Sequence, residues 1–396
     1  MILGESGRIL FSIIIFALVV FDIQAKDLRV DQKCSDEFTA LTHSGRERSQ
    51  NLAKRAKLYV ASDRETAYGR SQLADGSFAY YDLRPGQGSR RIRDNVILSR
   101  ITHLGIPPGW TNVWISSSTR SHLQATGIDA KGRRQALYHQ LWYREAARDK
   151  FDQVIEFGRQ LGKMRRKVDR DYAKAASGSK EKLLAGIFLL LDETAIRIGN
   201  EESHDSGASF GITTLRKRHF DGNKSLSFVG KSGVPHDIEI EDKRVVSLLR
   251  SLVPLQGWRL FRYRDARGQL VEITAEDVRA YMQKLSKANF SPKNFRTWMA
   301  TVTVASELAK LDPTESLAQR KRNLLKALDL AAKKLGNTRN MVATKYVPSE
   351  LQDAYLEANG FHEFFNDRGR PPTRSGLGIS VEELGTLRLL EKLLKG

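Results

Sequence analysis

Residues 181–198 limit what this chain can fold into more than any other stretch. Leu183, Leu184, Ile187, Phe188, Leu190, Leu191, Ala195 and Ile198 leave a helix there apolar around most of its circumference. A helix without a polar face is a buried helix. It is therefore the predicted centre of a helical region that opens near residue 147. At 396 residues the chain has the length for two or three domains and at least one large core.

The texture before that centre is different. Gly76, Gly86 and Gly88 punctuate residues 66–146, Ser77-Phe78-Ala79-Tyr80 reads as extended, and Ile106-Pro107-Pro108-Gly109-Trp110 leads into a strand at Val113-Trp114-Ile115. The predicted class is α+β, a small β-rich N-terminal domain followed by a larger, mostly α-helical one. The divisions expected are an apolar segment over 1–26, a polar helical lead-in over 27–65, the β-rich domain over 66–146, the helical domain over 147–365 and a tail over 366–396 with a short helix. Within the first segment, residues 9–21 are too short to span a bilayer comfortably and match the apolar part of an export signal. Its flanks fit such a signal less well, with only Arg8 ahead of it and Ile23-Gln24-Ala25 behind. A misplaced start codon is the competing reading.

Charge narrows the partner. Lys and Arg number 65 against 46 Asp and Glu, a net +19, which favours a polyanion such as nucleic acid. The single cysteine, Cys34, excludes an intrachain disulfide and a Cys-rich zinc site, and the 8 histidines carry no zinc-ligand spacing. No metal and no cofactor is expected.

Residues 123–139 form the most informative part of the β-rich region. Asp129 to Gly132 reads as a hairpin turn, with Lys131 in it and Arg133, Arg134, Gln135 and Tyr138 following. Arginine can grip phosphate or guanine, glutamine can read adenine, and tyrosine can stack or donate to phosphate. An ordinary basic hairpin is an equal reading of the same residues.

In the helical region, Ser225–Phe228 and Asp237–Ile240 alternate as two strands around Gly230-Lys231-Ser232-Gly233, and Ser291-Pro292 opens a helix that runs towards Lys310. A further helix over 323–335 carries Leu324, Leu325, Leu328, Ala331, Ala332 and Leu335 at three- and four-residue spacing, and Gly336 supplies a left-handed stop. The segment beyond it delivers Asn337 and Tyr346 nine positions apart.

Cutting a DNA strand by transesterification needs a nucleophile, cations around the non-bridging oxygens and an acid for the departing 5′ oxygen. Tyrosine can be the first and arginine the second, because its planar fork grips two phosphate oxygens and keeps its charge. Lysine can be the third, since a buried amine beside arginines has a lowered pKa. Arg197 is placed at the end of the buried helix, Lys231 at a hairpin tip and Arg296 in the first turn of a helix, where the dipole opposes a cation. Each also has an ordinary reading: a carbonyl-capping cation, a solvated lysine, a residue near an unrelated anion.

The order Arg197, Lys231, Arg296, Asn337, Tyr346 resembles the active site of the type IB DNA topoisomerases of the compact bacterial and poxviral kind. The resemblance spans about residues 66–365. It rests on Ile106–Trp110, the Gly127–His139 hairpin, Arg197–Asn200, Gly211-Ile212-Thr213-Thr214-Leu215, Phe228–Gly233, Leu260–Tyr263, Phe295–Trp298 and Leu335–Thr338. It implies that Tyr346 attacks a backbone phosphorus, that Arg197, Arg296 and Asn337 hold the phosphorane oxygens, and that Lys231 protonates the 5′ oxygen. It also implies DNA contacts from Lys131, Arg133, Arg134, Gln135, Tyr138, Thr213 and Thr214, and two domains closing round duplex DNA as a clamp. The implied enzyme is a monomer acting in the cytoplasm on double-stranded DNA, relaxing supercoils of both signs without ATP, cofactor, small-molecule substrate or membrane. Asn337 replaces the histidine of viral and eukaryotic relatives. Ala136 and Gly109 depart from the family pattern, the first removing a tyrosine contact.

Two alternatives share some of these features. A tyrosine recombinase uses the same cleavage chemistry, but generally carries His-x-x-Arg where this chain has Lys293 ahead of Arg296. A basic DNA-binding protein could keep the fold without the reaction.

Overall fold

The computed structural model describes residues 43–86, 89–199, 209–286, 288–311, 316–358, 360–365 and 378–395. The apolar segment over 1–26, residues 27–42 of the lead-in, Asn200 and residues 366–377 of the tail lie outside them. The chain forms two compact units, 1–149 and 150–396.

In the first unit, helix α1 covers His43–Arg55. The lead-in was expected to be helical and solvated through residue 65. The helix instead ends at Arg55, Lys57 takes a positive φ of 54°, and Leu52 and Ala53 are buried. Its charges are also less free than expected, because Arg48 pairs with Asp149 and Arg55 with Glu145.

The sheet that follows is antiparallel throughout. Its strands are β1 (Tyr68–Gln72), β2 (Phe78–Asp82), β3 (Arg90–Arg91), β4 (Thr111–Ile115), β5 (Leu123–Ile128) and β6 (Arg134–Tyr138), ordered β3-β2-β1-β4-β5-β6. Helix α2 (Asn95–His103) is capped by the Asp94 carboxylate, which accepts from Val96 and Ile97. It sets Ile97, Leu98 and Ile101 against Tyr68, Val113, Ile115 and Ala125 of the sheet. The β5–β6 turn is the one read from the sequence: Gly132 has φ 71° and donates to the Asp129 carbonyl at 2.9 Å.

The second unit is built around helix α4. Helix α3 (Gln140–Lys174) precedes it and contributes Phe151, Val154, Ile155, Phe157, Leu161, Met164 and Val168 to the core. Helix α4 (Lys180–Thr194) starts at a Ser179 cap, and every residue from Leu183 to Leu191 is buried. It ends four residues earlier than the apolar pattern suggested. Ala195 turns left-handed (φ 49°, ψ 29°) and donates to the Leu191 carbonyl, so Ile196 to Gly199 leave the helix as an irregular segment.

The hairpin β7 (Ser225–Val229) and β8 (Pro235–Glu239), helix α5 (Lys243–Leu252), the short pair β9 (Arg262–Arg264) and β10 (Leu270–Glu272) and helix α6 (Ala275–Ser286) come next. Helix α7 (Pro292–Ala309) begins at Ser291 with proline in its first turn, as read, and ends against Lys310. Helix α8 (Leu317–Leu335) starts six residues before the periodic run and stops at Gly336 (φ 58°). Helices α9 (Arg339–Lys345), α10 (Ser349–Leu356), α11 (His362–Phe365) and α12 (Val381–Lys395) complete the unit.

Arg165 of α3 ties three elements together from inside. It bonds Asp192 of α4 and Glu383 of α12 at 2.7 Å each, and Glu383 also accepts from Trp298 of α7 at 3.1 Å. Such a buried cation needs partners on every side. No described helix is long and apolar enough to cross a membrane.

Candidate active site

The five residues singled out by their chemistry all belong to the second unit, and four form two directly bonded pairs, Arg197 with Asn337 and Arg296 with Tyr346. Arg197 lies on the irregular segment beyond α4, not at the helix end as expected. Its carbonyl accepts from Ile212 at 2.9 Å, and that of Ile198 accepts from the Thr213 amide at 2.8 Å and hydroxyl at 2.9 Å. The two backbones approach so closely that a Cβ on Gly211 would sit 2.4 Å from the Gly199 nitrogen and 2.6 Å from the Arg197 oxygen. Neither neighbour is a flexible side-chain tip, so the segment itself must move. Gly211→Ala is therefore expected to cost about 1–3 kcal/mol of stability, read as a lower urea midpoint, together with a loss of relaxation activity as Arg197 is displaced. An unchanged midpoint with full activity would contradict this account of the segment.

Thr213 and Thr214 were expected at the DNA, yet both are buried and their hydroxyls turn inward. The Thr213 hydroxyl holds the Arg197 segment, and that of Thr214 accepts from the Gly211 amide at 2.9 Å. They brace the arginine and do not reach solvent.

Arg296 resolves an oddity of the sequence. It is 3% exposed near the start of α7, against that helix's dipole. Its Nη1 donates to the Ala195 carbonyl at 2.6 Å and Nη2 to the Leu335 carbonyl at 2.7 Å. These carbonyls close the C-terminal ends of α4 and α8, so the negative ends of two other helices face the cation. Its Nε donates to the Tyr346 hydroxyl at 3.4 Å, and the guanidinium carbon stands 5.5 Å from that ring's centre. Three of the five N–H bonds of the group are so engaged.

Asn337 follows the Gly336 cap. A Schellman-type closure fixes it: Gly336 donates to the Lys333 carbonyl at 3.3 Å and Asn337 to that of Ala332 at 3.0 Å. The Asn337 Oδ1 accepts from Arg197 Nη2 at 2.5 Å. Arg197 Nη1 and Asn337 Nδ2 are buried and find no acceptor among the described residues. Two adjacent, desolvated donors without acceptors are costly unless an anion completes them.

Tyr346 ends α9, which starts at a Thr338 cap. Its amide donates to Val342 at 3.0 Å, and the Thr301 hydroxyl of α7 donates to its carbonyl at 3.3 Å. The residue is 7% exposed. Burial pushes the phenol up, but the Arg296 hydrogen bond and the charges of Arg296, Arg197 and Lys293 outweigh it and hold it below its ordinary value.

Lys231 stands apart from these four. It sits at the tip of the β7–β8 hairpin, where Ser232 (φ 65°) and Gly233 (φ 75°) make the turn and Gly230 donates to the Val234 carbonyl at 2.7 Å. It is at the hairpin tip as read, and it is exposed, because the turn carries it beyond both strands.

Most residues of the first-unit hairpin are engaged by partners within that unit. Arg133 forks onto Asp129 at 2.7 and 2.9 Å, Gln135 donates to the same carboxylate at 2.9 Å, and Arg134 pairs with Asp63. Tyr138 stacks on Trp142 with ring centres 4.1 Å apart. Lys131 is exposed at the tip, and Ala136 packs against the small cluster around Trp114 and Leu123. The sequence reading missed the carbonyl partners of Arg296, which no local signal could have shown because Ala195 and Leu335 are distant in sequence.

Residues 139–366 match the family model described as the catalytic core of eukaryotic DNA topoisomerase I, and residues 77–129 match that of the N-terminal domain of bacterial DNA topoisomerase IB. The chain is also similar to DNA topoisomerase 1B of Acanthamoeba polyphaga mimivirus, 29% identical over 269 residues that cover 65% of this chain and 80% of that protein.

Proposed function

Because this chain belongs to the DNA topoisomerase I family, of the type IB kind, we propose that Tyr346, Arg197, Lys231, Arg296 and Asn337 of a single chain carry out its strand transfer. A type IB topoisomerase relaxes positive and negative supercoils by cutting one strand, keeping it as a 3′-phosphotyrosyl link and resealing it, without ATP. In the cleavage step the Tyr346 oxygen bonds to phosphorus while the bond from phosphorus to the 5′ oxygen breaks. The phenolic proton passes to water, and Lys231 gives its proton to the departing oxygen.

The observation that carries this reading is the pair of buried donors with no acceptor among the described residues, Arg197 Nη1 and Asn337 Nδ2, in the same unit as a tyrosine whose hydroxyl is already held by Arg296. Two such donors on neighbouring side chains can serve the non-bridging oxygens of one phosphate, and donors fixed in advance stabilise charge that develops in the transition state. Arg296 orients the phenol and lowers the cost of its ionisation. Lys231 is exposed at its hairpin tip, so in this reading DNA binding brings the acid to the 5′ oxygen. One chain supplies all five groups, which supports a monomer acting on duplex DNA; as a DNA enzyme it is assigned in this reading to the cytoplasm. The basic hairpin of the first unit adds backbone contacts through Lys131 and through Arg133, Arg134, Gln135 and Tyr138 once DNA competes for their present partners.

Supercoiled plasmid lacking recombination sites, incubated with the protein in EDTA and then quenched with detergent, tests the reading. Relaxed topoisomers together with protein linked to the 3′ end of the nick are expected. DNA binding without either product would overturn it, as would linkage to the 5′ end.

A further inference from the structure

The imidazole of His236, on β8, is wedged between two glycines, each of which immediately precedes a residue of the proposed machinery. A Cβ on Gly230, ahead of Lys231, would lie 2.6 Å from both Cδ2 and Nε2 of that ring. A Cβ on Gly336, ahead of Asn337, would lie 2.4 Å from Cε1 and 3.0 Å from Nε2. The ring's own face stacks on Phe228, directly opposite in the hairpin register, with centres 5.0 Å apart and planes 15° from parallel. Phe228 is buried in the core of the second unit. The ring thus touches the base of the Lys231 turn on one side and the end of α8 on the other, and it is anchored from behind.

We propose that His236 is the positioning residue that docks the Lys231 hairpin onto the α8–Asn337 turn, so that the general acid is delivered in register with the groups that hold the phosphate. The inference rests on the general-acid reading of Lys231 given above. A two-stranded hairpin has little independent rigidity, and Lys231 is exposed at its tip with a long, rotatable side chain. Fixing the backbone on which that chain pivots narrows where its ammonium can go. The flat imidazole fits a gap that only two glycine backbones leave open. Burial and the nearby charges of Arg296 and Arg197 hold its pKa below the ordinary value, so it enters this cationic site neutral and does not compete for the phosphate.

Two variants test this from opposite sides. His236→Ala removes the wedge. Gly230→Ala, at a φ of −93° that alanine adopts freely, pushes a methyl into it. Single-turnover cleavage is measured on an ordinary strand and on one with a bridging 5′-sulfur, whose thiolate leaves without a proton. Both variants are expected to cleave the ordinary strand about 10- to 100-fold more slowly, the scale of an ångström-sized misplacement. On the sulfur strand both should stay within about threefold of the unaltered protein, since correct placement of an acid no longer matters there. The combination of the two substitutions should be no worse than His236→Ala alone, because the methyl then occupies the space the ring has left.

Equal slowing on both strands would overturn the proposal in favour of a purely structural role, and no slowing on either would overturn it outright. Lys231→Ala is run in parallel. If it regains speed on the sulfur strand while the His236 and Gly230 variants do not, the docking role fails and the acid assignment stands. If Lys231→Ala itself gains nothing from sulfur, the acid assignment fails and the docking proposal with it.

Discussion

Tyr346→Phe is expected to abolish covalent capture of DNA and to lower plasmid relaxation by at least about 10⁴-fold, the scale on which loss of a nucleophile is felt. The substitution removes one oxygen and little else. The ring remains in the core beside Val342, Val347 and Leu351, and the backbone bonds to Val342 and from Thr301 do not involve the hydroxyl. Arg296 loses only its longest contact, at 3.4 Å, and keeps the Ala195 and Leu335 carbonyls. The variant should therefore fold with the stability of the parent. Its DNA affinity should be nearly unchanged and should fall as steeply with salt, since that slope counts phosphate contacts and not chemistry. Residual relaxation at even a hundredth of the parental rate would point to another nucleophile.

The same oxygen gives a reading independent of DNA. The absorbance difference between the parent and Tyr346→Phe on raising pH isolates the titration of this phenol. Its midpoint is expected below the ordinary value of about 10, because the Arg296 hydrogen bond and the charges of Arg296, Arg197 and Lys293 outweigh burial. Since the folded pKa is the depressed one, the phenol adds stability as pH rises through that midpoint towards its unfolded value. Arg296→Ala should move the midpoint up. A midpoint at or above 10 in the parent would mean that desolvation wins, and Arg296 would lose its assigned effect on the nucleophile.

The sequence made some of this legible and hid the rest, for physical reasons that differ by residue. The helix around Leu183–Leu191, the Ser291-Pro292 start and the Gly336 stop were readable because each is a local signal: a period, a cap, a left-handed glycine. The end of α4 was not. Ala195, Ile196 and Ile198 continue the apolar pattern, yet backbone pairing with residues 211–213 draws them out of the helix. Only a contact distant in sequence distinguishes the two outcomes. Arg296 is similar, since its place against the α7 dipole implied an anion but could not reveal that helix C-termini supply part of the answer. Thr213 and Thr214 are polar residues in a recognisable motif, and polarity alone does not separate a hydroxyl that meets DNA from one that braces the neighbouring strand. The hairpin residues Arg133 and Gln135 share that ambiguity, which Asp129 settles for the protein by itself.

Lys231→Ala is the sharper test of mechanism, because its effect depends on the atom it serves. On an ordinary strand the departing 5′ oxygen is a poor leaving group unless a proton reaches it in the transition state, and removing a positioned acid costs about 10²- to 10⁴-fold. On a strand carrying sulfur at that position the thiolate departs unaided, so the cost should shrink to a few-fold. The contrast is large because no described residue of the site is held by Lys231. The ammonium is exposed, and the turn is shaped by Ser232, Gly233 and the bond from Gly230 to Val234. Arg197→Ala supplies the control: Arg197 and Asn337 face the non-bridging oxygens in this reading, so its loss should slow both strands alike. If Lys231→Ala behaved as Arg197→Ala does, Lys231 would be one more cation on the phosphate, and the 5′ oxygen would have to take its proton from water.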